Sequence, residues 1–167
     1  TVAGVEVEIR KNLFVRPVSN AAHGMNKLSF GLNGSYIYTN AKMPLATVTT
    51  GSQLEGAAPW IANFDLSHNY TKGNHSFINT LVLNYVSDKI YTIGTQGYQD
   101  IMEQGIMTLD FVSQAKLNKY ISLTLKARNL LNPSYKLSRK ANESGEEVVL
   151  SDYKKGINIS LGVSCTF

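Results

Sequence analysis

The residues of this chain that could do chemistry are three histidines and a few carboxylates. His23, His68 and His75 could ligate a metal, but they fall in a link, on a strand and at a turn, and no spacing brings them together. Asp65 and Asp110 could act as a pair of acid and base only in a convergent pocket, of which the sequence gives no sign. We therefore expect no catalytic residue, no metal site, no cofactor and no enzymatic activity.

Two other features have simple interpretations. Cys165 is the single cysteine, so no intrachain disulfide is expected, and it suits a small apolar position on a strand. The net charge of +4 is modest and the basic residues are scattered, so we expect no nucleic-acid partner. Lys126 and Arg128 could bind an anionic substrate, or could form a charge ladder paired with neighbours such as Asp110.

These side chains lie in stretches where apolar and polar residues alternate with a period of two, so β-strands are expected to position them. In the last stretch, 155–167, apolar residues from Ile157 to Phe167 alternate with small polar ones and no charge interrupts them. This alternation predicts a strand with one apolar and one polar face. At about eleven residues, the strand is about twice the usual soluble length and suits a tilted crossing of a bilayer.

Six further stretches alternate, although 76–91 does so less cleanly because Asn79 interrupts its apolar face, and no helical pattern of useful length occurs. Pro17 and Gly24 predict a link after the first strand, the turns at 71–75 and 118–119 are tight, and the loops at 44–59, 92–105 and 134–152 are long. The sequence therefore predicts an all-β fold, an antiparallel up-and-down meander of about seven long strands. The strands are expected at 4–13, 28–43, 60–70, 76–91, 107–116, 121–128 and 155–167.

The placement of charges and loops favours a membrane barrel over a soluble one. Short turns that alternate with long loops are typical of outer-membrane barrels. A charge facing the lipid midplane costs about 2–4 kcal/mol for Arg or Lys, so the charged residues should face the lumen, although a soluble sheet would sort them similarly. The expected lumen-facing residues are Glu6, Glu8, Arg10, Asp65, Asp110, Lys126 and Arg128.

Aromatic residues gather near the predicted strand ends. Girdles at the two membrane interfaces would place them there, although aromatic residues also favour strands in general. A soluble, lipocalin-like binder with its apolar face inward therefore stays open. These aromatic residues are Tyr36, Tyr38, Trp60, Tyr70, Tyr85 and Phe167.

Several segments resemble the C-terminal end of TonB-dependent outer-membrane receptors, and are most similar to those of the Bacteroidota. The similarity extends over nearly the whole chain, and the NLLNPSY segment together with a terminal Phe is its most specific part. The residues that carry it are Leu54-Glu55-Gly56 with Pro59 and Asn63, Leu109-Asp110-Phe111, the ARNLLNPSY segment at 127–135, and Phe167.

The resemblance implies a 22-stranded barrel with an N-terminal plug, energised through TonB, that imports a scarce nutrient such as a siderophore, cobalamin, a glycan or a peptide. Residues 1–167 would be the C-terminal part of that outer-membrane barrel, and Lys126 and Arg128 could contact acidic residues of the plug. Phe167 would be the signal read by the outer-membrane assembly machinery. The extracellular-loop residues expected near substrate are Gln96, Tyr98, Asp100 and Glu103.

The expected partners follow from the same resemblance. They are the lipid bilayer, the plug and the remaining barrel strands, the assembly machinery, and TonB through the plug. Because Thr1 begins no signal peptide, we expect a fragment or a mature portion, whose exposed strand edges would aggregate or pair into a small artificial barrel. The alternative is a small standalone outer-membrane barrel, structural or adhesive, which would need an eighth strand.

Overall fold

The computed structural model describes residues 1–18, 24–41, 53–141 and 145–166. These residues form eleven β-strands and no helix, so no helix among them could cross a membrane. The strands are β1 (Val2–Pro17), β2 (Met25–Thr39), β3 (Trp60–Lys72), β4 (His75–Val86), β5 (Lys89–Thr92), β6 (Ile101–Glu103), β7 (Ile106–Lys116), β8 (Ile121–Arg128), β9 (Ser134–Lys140), β10 (Glu147–Lys154) and β11 (Asn158–Cys165).

The seven strands predicted from the sequence are the strands of the larger sheet, in the order β1-β2-β3-β4-β7-β8-β11. Every neighbouring pair is antiparallel, which confirms the all-β meander. The sheet is open, with β1 and β11 at its two edges. Six antiparallel steps separate these edge strands, so β1 and β11 run in the same direction.

The period of two in the sequence gives the larger sheet two chemically different faces. Residues that pair across neighbouring strands share a face, as Leu32, Phe64, Leu83 and Leu109 do in one row. The next row, on the opposite face, contains Asn63 and its partners, which are mostly Asn and Thr. We call these the apolar face and the polar face.

All the long connections leave one end of the larger sheet. The chain leaves this loop end after β2, β4 and β8, whereas the turns between β3 and β4 and between β7 and β8 lie at the opposite, turn end. Gly73 adopts a φ of 59° in the first of these turns, a conformation that glycine adopts without steric cost. In the second turn, the Asn118 side chain accepts the backbone N–H groups of Tyr120 and Ile121, both at 2.8 Å.

Several predicted boundaries were wrong. The predicted link at Pro17 is strand, since β1 extends through Pro17 and β2 already begins at Met25. Pro17 is tolerated because it ends an edge strand, where a missing N–H costs no ladder bond. β4 ends at Val86 instead of continuing to Tyr91, and β2 ends at Thr39.

The predicted loops at 92–105 and 134–152 were also wrong, because they contain strands. β5, β6, β9 and β10 form a second antiparallel sheet in the order β10-β9-β6-β5. β6 is only three residues long and depends on pairing with β9, a partner distant in sequence. Tertiary pairing of this kind overrides the weak local propensity of polar segments.

The small core lies mainly where the second sheet meets the loop end. Ala58, Ile90 and Ile93 are buried there, and Ala127 is the other buried apolar residue among those described. The Glu55 carboxylate accepts the backbone N–H of Ile93 at 2.7 Å, and the Gly56 N–H donates to the carbonyl of Ile90 at 2.8 Å. The Leu54-Glu55-Gly56 segment thus fastens its loop to β5.

Candidate functional site

The structure places all seven charged residues expected in the lumen on the polar face of the larger sheet. One row across five strands consists of Arg10, Gly31, Asp65, Val82 and Asp110. Lys126 lies on the same face of the neighbouring strand β8, where it pairs with Val112, and the row of Arg128 follows by alternation. That this face lines a lumen stays a prediction.

A polar network covers the β1 side of this face. Arg10 forms an ion pair with Glu8 on the same strand. The Asn33 amide donates to the Glu6 carboxylate at 2.5 Å, and the Asn63 amide donates to the Asn33 side-chain oxygen at 3.3 Å. The Glu6 carboxylate is thereby linked to β2 and, through Asn33, to β3 by neutral amides.

Asp65 lies over a gap in the side chains of β2. A Cβ atom at Gly31 would fall inside the contact distance of the Asp65 carboxylate, so the Asp65 side chain uses space that a larger residue would fill. Two adjoining hollows of about 350 and 370 Å³ open here, and both are lined by Arg10, Gly31 and Asp65. The pair of opposite charges beside open space suits binding of a small polar group.

On β7 and β8, the side chains of the polar face do not form the predicted ladder of paired charges. The Asp110 carboxylate accepts the backbone N–H of Asn129 at 2.8 Å, at the point where β8 ends. No ion pair joins Asp110 to Lys126 or Arg128 in the described part of the chain. Asp110 therefore fixes a turn instead of neutralising the two cations.

The second sheet forms a larger cleft of about 650 Å³. Of the four predicted substrate-loop residues, Asp100 lines it, and its carboxylate accepts the Gly94 N–H at 2.7 Å. Tyr98 lies beside it, with the Arg139 guanidinium 5.0 Å from its ring centroid. Glu103 forms an ion pair with Lys89 at 3.3 Å instead of lining the cleft.

Gln96, the fourth of these residues, occupies a turn with a φ of 55° and does not line the cleft. The sequence missed the cleft residues Arg139, Lys140 and Glu147, because their segment was predicted as loop. The apolar run Val148 to Leu150 inside that segment was the available signal of a strand.

Glu147 is the titratable group of the cleft with a perturbed pKa. Hydrogen bonds from Ser138, and then from Gln104, hold the pKa of the Glu147 carboxyl below its usual value. The Gln104 amide donates to Glu147 at 2.6 Å. Glu147 therefore stays ionised, and the cleft presents fixed carboxylates beside the cations Arg139 and Lys140, an arrangement that can hydrogen-bond a polar or zwitterionic ligand.

The described histidines do not form a common site. The His68 ring shares a hydrogen bond of 2.9 Å with Asn26, whereas His75 begins β4 at the turn end. Within residues 1–18, 24–41, 53–141 and 145–166, no group of three potential metal-binding side chains converges. His23 and Phe167 lie outside the described residues, so the proposed assembly role of Phe167 stays a prediction.

Comparison with known proteins adds no relative. No family model, curated protein or solved structure matches this chain.

Proposed function

We propose that this chain is the C-terminal part of the barrel of an outer-membrane receptor of the TonB-dependent kind. The larger sheet crosses the outer membrane with its apolar face toward lipid and its polar face toward the lumen. The loop end with its cleft lies outside the cell, and the turn end lies in the periplasm. The protein imports a nutrient and carries no catalysis of its own.

The observation that carries this proposal is an apolar face of membrane length that nothing covers. On β11, Ile159, Leu161 and Val163 are 69%, 72% and 63% exposed. No large side chain among the described residues is fully buried. Soluble monomers rarely expose continuous apolar patches of this extent, whereas lipid would cover the whole face.

Aromatic pairs at the two ends of the apolar face support a bilayer crossing. Tyr36 and Trp60 lie together at the loop end, with ring centroids 4.5 Å apart, and Tyr70 and Phe77 lie at the turn end, 6.4 Å apart. Trp60 and Tyr70 are ten residues apart, which at about 3.3 Å per residue and a tilt of about 40° spans about 25 Å. This separation of the aromatic pairs is close to the height of the apolar band of outer-membrane barrels, although polar residues such as His68 and Asn79 occupy the row next to Tyr70.

The polar face suits a lumen. Its hollows lie beside Arg10 and Asp65, and its side chains hydrogen-bond to one another, as Ser67 and Thr80 do at 2.9 Å. Short, mutually bonded polar groups fit a crowded interior beneath a plug better than a freely solvated surface.

The two unpaired edges of the larger sheet, β1 and β11, support a barrel that is closed by further strands. Because β1 and β11 run in the same direction, an antiparallel barrel requires an odd number of additional strands between them. The 22-stranded barrel implied by the resemblance leaves fifteen beside these seven, which is an odd number. An edge strand left unpaired in lipid would be unfavourable, because its backbone N–H and C=O groups would lack hydrogen-bond partners.

Topology in living cells tests the proposal. In the protein expressed from its own gene and carrying Cys165→Ser, Val148→Cys on β10 should react with a membrane-impermeant maleimide in intact cells. Asn74→Cys in the turn between β3 and β4 should react only after the outer membrane is permeabilised. Recovery of the protein in the soluble fraction would contradict the membrane assignment and favour a soluble binding barrel.

The import role needs its own test. Uptake of labelled siderophore, cobalamin, glycan and peptide should fall for one of these classes when the gene is deleted. The same loss should occur in a strain without TonB. If deletion changes no uptake while the protein stays in the outer membrane, a structural or adhesive barrel replaces the receptor.

A further inference from the structure

The charges of the larger sheet are segregated along its strands. We define the turn-end zone as residues 12–17, 25–29, 67–80, 112–126 and 160–166, which lie between the row of Ser67 and the turns. This zone contains no Asp or Glu, so every described acidic residue lies outside it. Its basic residues are Arg16, Lys27, Lys72, Lys116, Lys119 and Lys126.

Two of these cations lie on the apolar face. Arg16 pairs with Asn26, which pairs with Tyr70, and all three share that face. Lys72 lies two residues beyond Tyr70 and pairs with His75. A bulge near Leu13 shifts the register of β1 by one residue, and this shift brings Arg16 to the apolar face.

The apolar face also becomes polar in this zone. His68 bonds to Asn26 at 2.9 Å, and the Ser113 hydroxyl donates to Asn79 at 2.7 Å, although these residues occupy rows that should be apolar. We call this belt the polar fringe. Its members are Arg16, Asn26, His68, Lys72, His75, Asn79 and Ser113.

We propose that the polar fringe binds the phosphate groups of anionic phospholipids in the leaflet at the turn end, with Arg16 and Lys72 as the principal cations. This inference rests on the proposed function, because it requires the apolar face to contact lipid. Lipid headgroups begin where an apolar face gives way to polar residues, and the fringe lies at that boundary beside the Tyr70 and Phe77 rings.

The geometry of the two cations suits adjacent lipids. They lie on β1 and β3, two strand spacings apart and two residues apart along the strands, or about 12 Å in all. Arg16 and Lys72 are both exposed, and the Arg16 guanidinium lies 5.4 Å from the Phe14 ring centroid. Each side chain can therefore rest its apolar stem on the sheet and place its charge among the headgroups. With no carboxylate in the zone, no acidic side chain competes for them.

The test compares cations on the two faces of the same zone. The protein expressed from its own gene is refolded from urea with vesicles of phosphatidylcholine alone, or of phosphatidylcholine and phosphatidylglycerol in equal parts, and the bound fraction is measured by flotation. Wild-type protein should prefer the anionic vesicles, and added salt should weaken this preference. R16Q/K72Q should lower partitioning into anionic vesicles about fivefold for each charge removed.

The matched control removes two cations from the polar face of the same zone, in K27Q/K116Q. Lys27 pairs with Asn69, and Lys116 pairs with Ser76, on the face away from lipid. The control should keep the wild-type preference. Equal losses in both double variants, or insertion without any preference for anionic vesicles, would overturn the inference and leave the proposed function intact. Failure to enter either kind of vesicle would overturn both.

Discussion

Gly31 affects how the side chains of the polar face are arranged. Its missing side chain admits the Asp65 carboxylate, which lies in the same row as Arg10. Gly34, on the same strand, has nothing within 4 Å of the position where a Cβ would lie. The two glycines therefore make different predictions for the same substitution.

We predict that Gly31→Ala destabilises the folded chain only modestly, by about 0.5–1 kcal/mol, because the added methyl group displaces the flexible end of the Asp65 side chain and no backbone atom. Gly34→Ala should change stability by less than about 0.5 kcal/mol. The urea unfolding midpoint measures both effects. Gly31→Ala combined with Asp65→Ala should recover most of the loss, and a double variant as unstable as the single one would refute the steric explanation.

Glu147 gives a prediction about pH. Its pKa is lowered in the folded chain by Ser138 and Gln104, so it binds a proton less readily folded than unfolded. The stability that it contributes is complete above the usual glutamate pKa and is lost as pH falls through the lowered, folded-state pKa. Hydrogen exchange of the β9 and β10 amides should accelerate across that window.

The control for this pH effect is Glu147→Gln, which keeps the shape of the side chain but cannot ionise. Its exchange rates, corrected for the intrinsic pH dependence of exchange, should vary little across the same window. If wild type and variant respond equally to acid, Glu147 is not the source of the pH dependence.

At the scale of elements, the NLLNPSY segment joins the two sheets. Asn129 and Asn132 have φ angles of 58° and 44°, which turn the chain from β8 toward β9. The Asn129 amide donates to the Gly156 carbonyl at 2.7 Å, and the Gly156 N–H donates to the Asn132 side chain at 3.1 Å. The segment therefore fixes the start of β11 as well as the end of β8.

Two substitutions at Asn129 separate its backbone role from its side-chain role. Asn129→Gly loses the hydrogen bond to Gly156 but keeps the positive φ without strain, whereas Asn129→Ala loses both. We expect Asn129→Ala to be less stable than Asn129→Gly by about 1 kcal/mol. Both should speed hydrogen exchange at the first residues of β11. Equal stability of the two variants would contradict the strain argument.

The long strands could be predicted because their signal is local. Each residue of 121–128 alternates strictly, so β8 was predicted with its observed bounds. β6 could not be predicted, because three residues carry no period and their pairing with β9 is set by tertiary structure. The cleft depends on that pairing, so Arg139 and Glu147 could not be identified as its residues.

At the scale of the whole molecule, the described chain is a sheet with little core. Its apolar face is exposed, its two edges are unpaired, and its buried apolar residues lie mainly at the loop end. The sequence could predict which side chains share a face, as with Arg10, Asp65 and Asp110, because a period of two fixes this. It could not predict their partners, since the contact of Asp110 with Asn129 depends on the turn after β8.

The measurement that tests the central claim most directly asks which face contacts lipid. Leu83 and Val82 are adjacent on β4, at nearly the same depth but on opposite faces. In the protein expressed from its own gene, Leu83→Trp or Val82→Trp adds one tryptophan to a Trp60→Phe background, and its fluorescence is the difference from the Trp60→Phe parent. Each variant is folded into vesicles that carry bromine atoms on their acyl chains.

Our account predicts strong bromine quenching of the tryptophan fluorescence for Leu83→Trp, which is on the apolar face, and weak quenching for Val82→Trp, which is on the polar face. Circular dichroism should show the same strand content for both variants. Equal or absent quenching, or stronger quenching at position 82, would contradict the claim that this sheet crosses a membrane with its apolar face toward lipid.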